Sequence, residues 1–178
     1  EELRREENRK SGLLRDFAKQ AGGQRVEKYR FSNWDATSEK QTQVLEAVRE
    51  WANTFPERKS AMEGLVLYGP CGTGKDHLAF AAVRQAMIQT GASALWVNGR
   101  DLMGEVRDRI DEERSERSLI ARFEVPAIVV ISDPLPPVGD LKEFQADILY
   151  RIIENRYADG QITVMTLNIS SDQEADRR

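Results

Sequence analysis

The chain has 178 residues, 31% of them charged, and a net charge of −4. That length suits one domain with a real core, and the near balance of charge leaves nucleic-acid binding to a local basic face rather than to the whole chain. The single cysteine, Cys71, excludes an internal disulfide and fits a reducing, cytoplasmic setting; no apolar run reaches the roughly eighteen residues of a membrane span, and no signal peptide opens the sequence.

Residues 1–28 read as a charged lead-in helix or linker. Glu1 to Gln20 is dense in Glu and Arg, with Leu13, Leu14 and Phe17 as its main apolar points. A solvated linker helix and a partner-binding helix both fit that pattern, and Gly22-Gly23 breaks it. Residues 29–178 form the second unit. It opens on the aromatic-rich stretch Tyr29-Arg30-Phe31-Ser32-Asn33-Trp34. Ser38 to Phe55 is a predicted helix: Ser38 and Gln41 make a capping box, Val44, Val48, Trp51 and Phe55 recur at helical spacing, and Pro56 ends it.

Leu65 to Tyr68 is an apolar run that reads as a buried strand, and it leads into Gly69-Pro70-Cys71-Gly72-Thr73-Gly74-Lys75. Strand, glycine frame, lysine and then an apolar helix make the phosphate-binding loop in its proper context. Glycines let backbone N–H groups turn inward around phosphates, the helix presents its positive end to the same anion, and Lys75 adds a point charge. The alternative is a glycine turn with a surface lysine. Asp76 and His77 follow in the first helical turn and complete the candidate nucleotide contacts, Gly69 through His77. For His77, the only histidine, a structural or phosphate-proximal role fits better than general base. The pattern wants a hydroxyl after the lysine to reach magnesium, and Asp76 stands there. Cys71 reads as a small loop residue rather than a redox switch.

The helix from His77 to Thr90 is apolar on most faces and stops at Gly91. Ala92 to Val97 is a second strand, and Asn98-Gly99 turns. Arg100 to Phe123 reads as one helix in which Arg107, Arg109, Arg114, Arg117 and Arg122 alternate with acids; a solvated, salt-bridged face accounts for it. Val125 to Ile131 is a third strand, ending in Ser132-Asp133. A stiff Pro134-to-Gly139 loop follows, then a helix capped by Asp140 that runs to about Tyr157. Asp159-Gly160 turns into a fourth strand, Ile162 to Leu167, which delivers Asn168. Alternating strands and helices with β-branched strands imply an α/β fold with a parallel sheet between helical layers.

From the aromatic lead-in to Asn168 the sequence resembles AAA+ ATPases of the DnaC and IstB type, which are replicative helicase loaders and transposition helper ATPases. The resemblance rests on Gly74-Lys75-Asp76-His77-Leu78 in its loop, on Ile128 to Asp133, on Phe144-Gln145 with Leu149-Tyr150-Arg151 and Arg156-Tyr157, and on Thr163 to Thr166 with Asn168 at the tip. It implies a P-loop NTPase core of three layers, α/β/α, with the fourth strand inserted between the first and third, so that Asn168 lies between Lys75 and Asp133. It implies ATP and Mg2+ as ligands, with Asp133 and Asn168 as catalytic residues. It implies a replicative helicase or transposase as partner, DNA or neighbouring subunits at Arg107 to Arg122, and self-assembly of the full-length protein. The family's arginine finger and helical lid would follow Asn168; Arg177 and Arg178 lie in that direction and are not assigned. Since the chain starts inside a charged run and stops at Asp176-Arg177-Arg178, a fragment of a longer protein, truncated after the Asn168 strand, is expected.

The metal position departs twice. With four apolar residues before it, Ser132 falls where the resemblance wants the magnesium aspartate and Asp133 where it wants the catalytic acid. Sliding by one makes Asp133 the metal residue and puts Pro134 at the catalytic position. The candidate metal set is therefore Asp76, Ser132 and Asp133, with a hydroxyl and a carboxylate having traded places between Asp76 and Ser132. The alternatives are relaxed selection in a nucleotide-dependent scaffold that barely hydrolyses, and Asp76 as a plain helix-start acid.

Overall fold

The computed structural model describes residues 1–137 and 139–169. Arg177 and Arg178 lie outside the described residues. Helix α1 (Glu2–Ala21) leads through two 3-10 turns, Gly23–Lys28 and Phe31–Asn33, into α2 (Glu39–Asn53) and α3 (Phe55–Ser60). Strand β1 (Leu65–Gly69) feeds α4 (Lys75–Thr90). Then come β2 (Ala94–Asn98), α5 (Gly99–Asp111), α6 (Arg117–Ala121), β3 (Ile128–Ser132), α7 (Glu143–Ala158) and β4 (Ile162–Asn168). The four strands are parallel in the order β1-β4-β3-β2, so β4 does lie between β1 and β3.

The pleat divides the interior into two cores, because successive strand residues face opposite ways. Ile128 and Val130 of β3, with Ile162 and Val164 of β4, face α4 together with α1 and α2; Val129 and Ile131 face α5, α6 and α7. Every residue of β3 is buried, as a central strand covered on both sides requires. At the β1 edge the second face is open, leaving Val66 and Tyr68 exposed.

Helix α1 is not merely a solvated lead-in. Phe17 is fully buried, its ring stacked on Phe80 at 5.1 Å and edge-on to Trp96 at 5.8 Å. Gln20 Oε1 accepts from the Trp96 backbone N–H at 3.0 Å, on the β2 edge that no strand covers among the described residues. Ala18 is buried beside Phe17, and Leu13, Leu14 and Ala21 pack against the same core, under the high charge of the rest of α1.

Three predicted boundaries move for local reasons. Pro56 does not end a helix but sits in the first turn of α3, where its missing N–H costs nothing. The expected Arg100-to-Phe123 helix breaks at Glu113, which takes φ 52°. Its charged stretch 111–117 offers the core nothing, and the break returns Leu119, Ile120 and Phe123 to it. The last helix begins at Glu143 rather than at an Asp140 cap, with Gln145 Oε1 accepting from the Lys142 N–H at 3.2 Å.

Two close fits hold the sheet ends. Arg156 is 1% exposed and meets no carboxylate at ion-pair distance among the described residues. Its guanidinium donates to the carbonyls of Phe123, Pro126, Ala127 and Ile162 and to Thr163 Oγ1 and Gln161 Oε1. Burial pushes its pKa down to about 10. At the opposite end, Asp133 leaves β3 with φ 51°, in the left-handed region. Gly99 makes this exit possible: a Cβ there would lie 2.3 Å from Pro134 Cα and 2.8 Å from the Asp133 carbonyl carbon.

Arg156→Met should therefore lower stability by about 2–4 kcal/mol by stranding several buried carbonyls, read as a shifted urea midpoint at constant slope. Gly99→Ala should cost about 1–3 kcal/mol, because the contacted atoms are backbone and cannot step aside; a midpoint within error of the parent would refute the close-approach argument.

Candidate nucleotide-binding site

The loop between β1 and α4 is built from its own backbone. Gly74 takes φ 85° as the residue before α4, and Trp34 Nε1 donates to its carbonyl at 3.2 Å. A Cβ at Gly74 would meet that indole nitrogen at 2.4 Å, so the aromatic lead-in and the loop are fitted together. Thr73 Oγ1 donates to the Pro70 carbonyl at 2.9 Å. Lys75 Nζ donates to the carbonyls of Gly69 at 2.9 Å and Pro70 at 2.7 Å, folding the ammonium back over the loop. Burial lowers the Lys75 pKa, opposed by the charges of Asp76, Cys71 and Asp133. Cys71 is exposed. A cleft of about 380 Å³ opens beside the loop, lined by Trp34, Gln41, Val44, Tyr68, Lys75 and Ile169 among others.

Asp76 does not point idly into solvent. Its Oδ2 accepts from Ser132 Oγ at 3.0 Å and its Oδ1 from Thr166 Oγ1 at 2.7 Å. The hydroxyl-bearing residues are almost fully buried, Ser132 at 5% and Thr166 at 1% exposure. Ser132 continues the Ile128–Val130 face and Thr166 the Ile162–Val164 face, both toward α4, so the alternation of the strands delivers them to this carboxylate.

Asp133 turns elsewhere. Its carboxylate accepts from Asn168 Nδ2 at 2.6 Å, from the Asn168 N–H at 3.3 Å and from Arg100 Nη2 at 3.1 Å. Asn168 is the ladder partner of Gly69, where the loop begins. The structure thus brings Lys75, Asp133 and Asn168 to one end of the sheet, and separates Ser132, which meets Asp76, from Asp133, which does not.

His77 is engaged by the lead-in. Its ring stacks on Tyr29 at 4.2 Å, and Nε2 lies 2.8 Å from the Arg30 carbonyl and 3.1 Å from Asn33 Oδ1. That is a structural placement, tying α4 to the lead-in. In the arginine-rich stretch, Arg109 and Arg122 pair with Glu105 and Arg114 with Glu112, while among the described residues no ion pair forms at Arg107 or Arg117.

Sequence reasoning missed Thr166, Arg100, Trp34 as a loop contact, and Gly99. The first was within reach, since Thr166 shares its strand face with Asn168. Arg100 directly follows the turn at the end of β2, but nothing in its neighbours signals an acid across the sheet.

Similar structures are known for several replication proteins. The crystal structure of the DnaC helicase loader superposes with a TM-score of 0.71 at 21% identity, covering 87% of this chain and 85% of that one. The crystal structure of DnaI gives 0.68 at 18%, covering 85% and 78%. AMPPCP-bound DnaA from Aquifex aeolicus gives 0.63 at 19%, covering 84% of this chain and 47% of that one. At these identities the likeness establishes the fold, that of a P-loop AAA+ NTPase. No curated protein matches the chain. The sequence matches the family described as IstB-like ATP binding protein over residues 1–175, and with its phosphate loop in place the chain belongs to that family.

Proposed function

We propose that this chain is an ATP-hydrolysing AAA+ module that binds Mg–ATP at Gly69 to Lys75 and uses the hydrolysis cycle to act on a replicative helicase or a transposase assembled with DNA. The observation that supports it most is the meeting of Asp133 with Asn168 at the strand ends, directly beside the loop that carries Lys75. The loop N–H groups and Lys75 would hold the phosphates. Asp133 would orient the attacking water and take its proton. Asn168 would fix that carboxylate and the water. The water oxygen bonds to the γ-phosphorus while the bond to the β–γ bridging oxygen breaks, and ADP leaves with that electron pair. Magnesium, when bound, neutralises charge on the outer phosphates, and the hard oxygen donors present suit it. An arginine from a neighbouring copy would stabilise the transition state. Arg107 and Arg117, which form no ion pair among the described residues, are the residues we assign to a DNA or partner contact. No described helix is long and apolar enough to cross a membrane.

A second reading, a nucleotide-dependent scaffold with little turnover, is favoured by one feature: Asp133 is already engaged by Arg100 and Asn168. Tight ATP binding without measurable phosphate release, in the presence of client and DNA, selects it. Co-sedimentation with a purified replicative helicase or a purified transposase, with and without ATP, tests the client.

Lys75→Ala should abolish tight ATP binding while the melting temperature stays at the parent value. A variant that unfolds, or binds ATP as the parent does, removes the phosphate-loop assignment. Asp133→Asn should keep ATP binding and lose about a hundredfold or more in turnover, the scale of a general base.

A further inference from the structure

We propose that Asp76, Ser132 and Thr166 form the divalent-cation site of the phosphate loop. The carboxylate comes from helix α4 and the orienting hydroxyls from strands β3 and β4, so that the loop accepts its nucleotide only as the cation complex. This rests on the nucleotide reading above and goes beyond it in naming Thr166 and in making cation and nucleotide mutually obligatory.

Three observations carry it. First, each oxygen of the Asp76 carboxylate accepts one hydrogen bond from a nearly buried hydroxyl, Thr166 at 2.7 Å and Ser132 at 3.0 Å. Each oxygen keeps a lone pair, and the carboxylate is held in one orientation, as a metal ligand needs to be. Second, Asp76 directly follows Lys75 in the first turn of α4. Nucleotide phosphates held by Lys75 therefore share space with an uncompensated carboxylate, which repels them unless a cation stands between. Third, the protein oxygens gathered here are those of Asp76, Ser132 and Thr166. One carboxylate with two hydroxyls is too small a set to dehydrate magnesium unaided; phosphate oxygens must complete it. Each ligand thus supplies what the other lacks, and by linkage each strengthens the other equally. Asp133 has no part in this set, because its carboxylate is turned to Asn168 and Arg100.

The test is calorimetric titration of ATP into the purified chain, in excess magnesium and in EDTA, with melting temperatures recorded alongside. The parent should lose about a hundredfold or more in affinity in EDTA. Asp76→Asn should bind ATP more tightly than the parent in EDTA and show only a small magnesium effect. A role limited to pinning α4 onto the sheet cannot produce that gain. Thr166→Val should weaken the magnesium dependence about tenfold by freeing one carboxylate oxygen to rotate, and Thr166→Ser should restore it. That second pair decides the matter if Asp76→Asn does not fold. A parent that binds ATP equally well in EDTA overturns the cation site and leaves the nucleotide reading standing. So does an Asp76→Asn variant with the parent's magnesium dependence. Absence of ATP binding under both conditions overturns both.

Discussion

The place of β4 governs the rest of this structure. It threads between β1 and β3, and its register sets Asn168 opposite Gly69 and Thr166 opposite Ser132. The Asp133 N–H bonds the Thr166 carbonyl at 2.8 Å, carrying the ladder one residue past β3. That one alignment assembles the candidate site. The phosphate loop, the acid that ends β3 and the amide that ends β4 emerge at one level. A slip of one residue would turn Thr166 and Asn168 to the opposite face, away from α4.

Two polar clamps keep this alignment, one at each end of the central strands. Where β3 and β4 begin, Arg156 gathers the Ala127 and Ile162 carbonyls. Where they end, Asp76 gathers the Ser132 and Thr166 hydroxyls. Both use a charged group to satisfy neutral partners, an arrangement stronger per bond than neutral pairs and sharper in geometry than apolar contact. Between the clamps the strands are held by apolar packing on both faces. That packing is tolerant of small shifts, so the clamps set the level at which the site forms.

Much of this was legible in the sequence because the signals are local. The glycine frame, the strand before it and the apolar helix after it fix the loop, and the alternation of β-branched runs with helical runs fixes the parallel sheet. The resemblance carried by Ile128 to Asp133 and by Asn168 placed β4 correctly. What stayed hidden depends on distant pairs. Phe17 is one apolar ring in a charged helix, and its contacts with Phe80 and Trp96, far along the chain, show that α1 belongs to the core. Gly99 reads as a turn residue until the Pro134 backbone is seen against it. The charged stretch around Glu113 satisfies helical propensity everywhere, so the break there is decided by the core's demand for Leu119 and Phe123 rather than by any local signal. His77 shows the reverse case: its sequence position next to Asp76 suggests the phosphates, and its ring is drawn off by Tyr29 and Arg30.

The strand order also dictates when the molecule can take shape. Among the described residues the only ladder partner of β1 is β4, which follows it by about a hundred residues, so closing that loop is entropically costly and slow. The pair β2 and β3 can form earlier, from a much shorter segment. In the finished fold β1 also packs through Leu67 against the core that holds α4, with Val66 and Tyr68 exposed. The loop can exist in outline while its partners Asn168 and Thr166 have yet to be made. The candidate site is therefore completed late, with the last strand described, after the loop it faces.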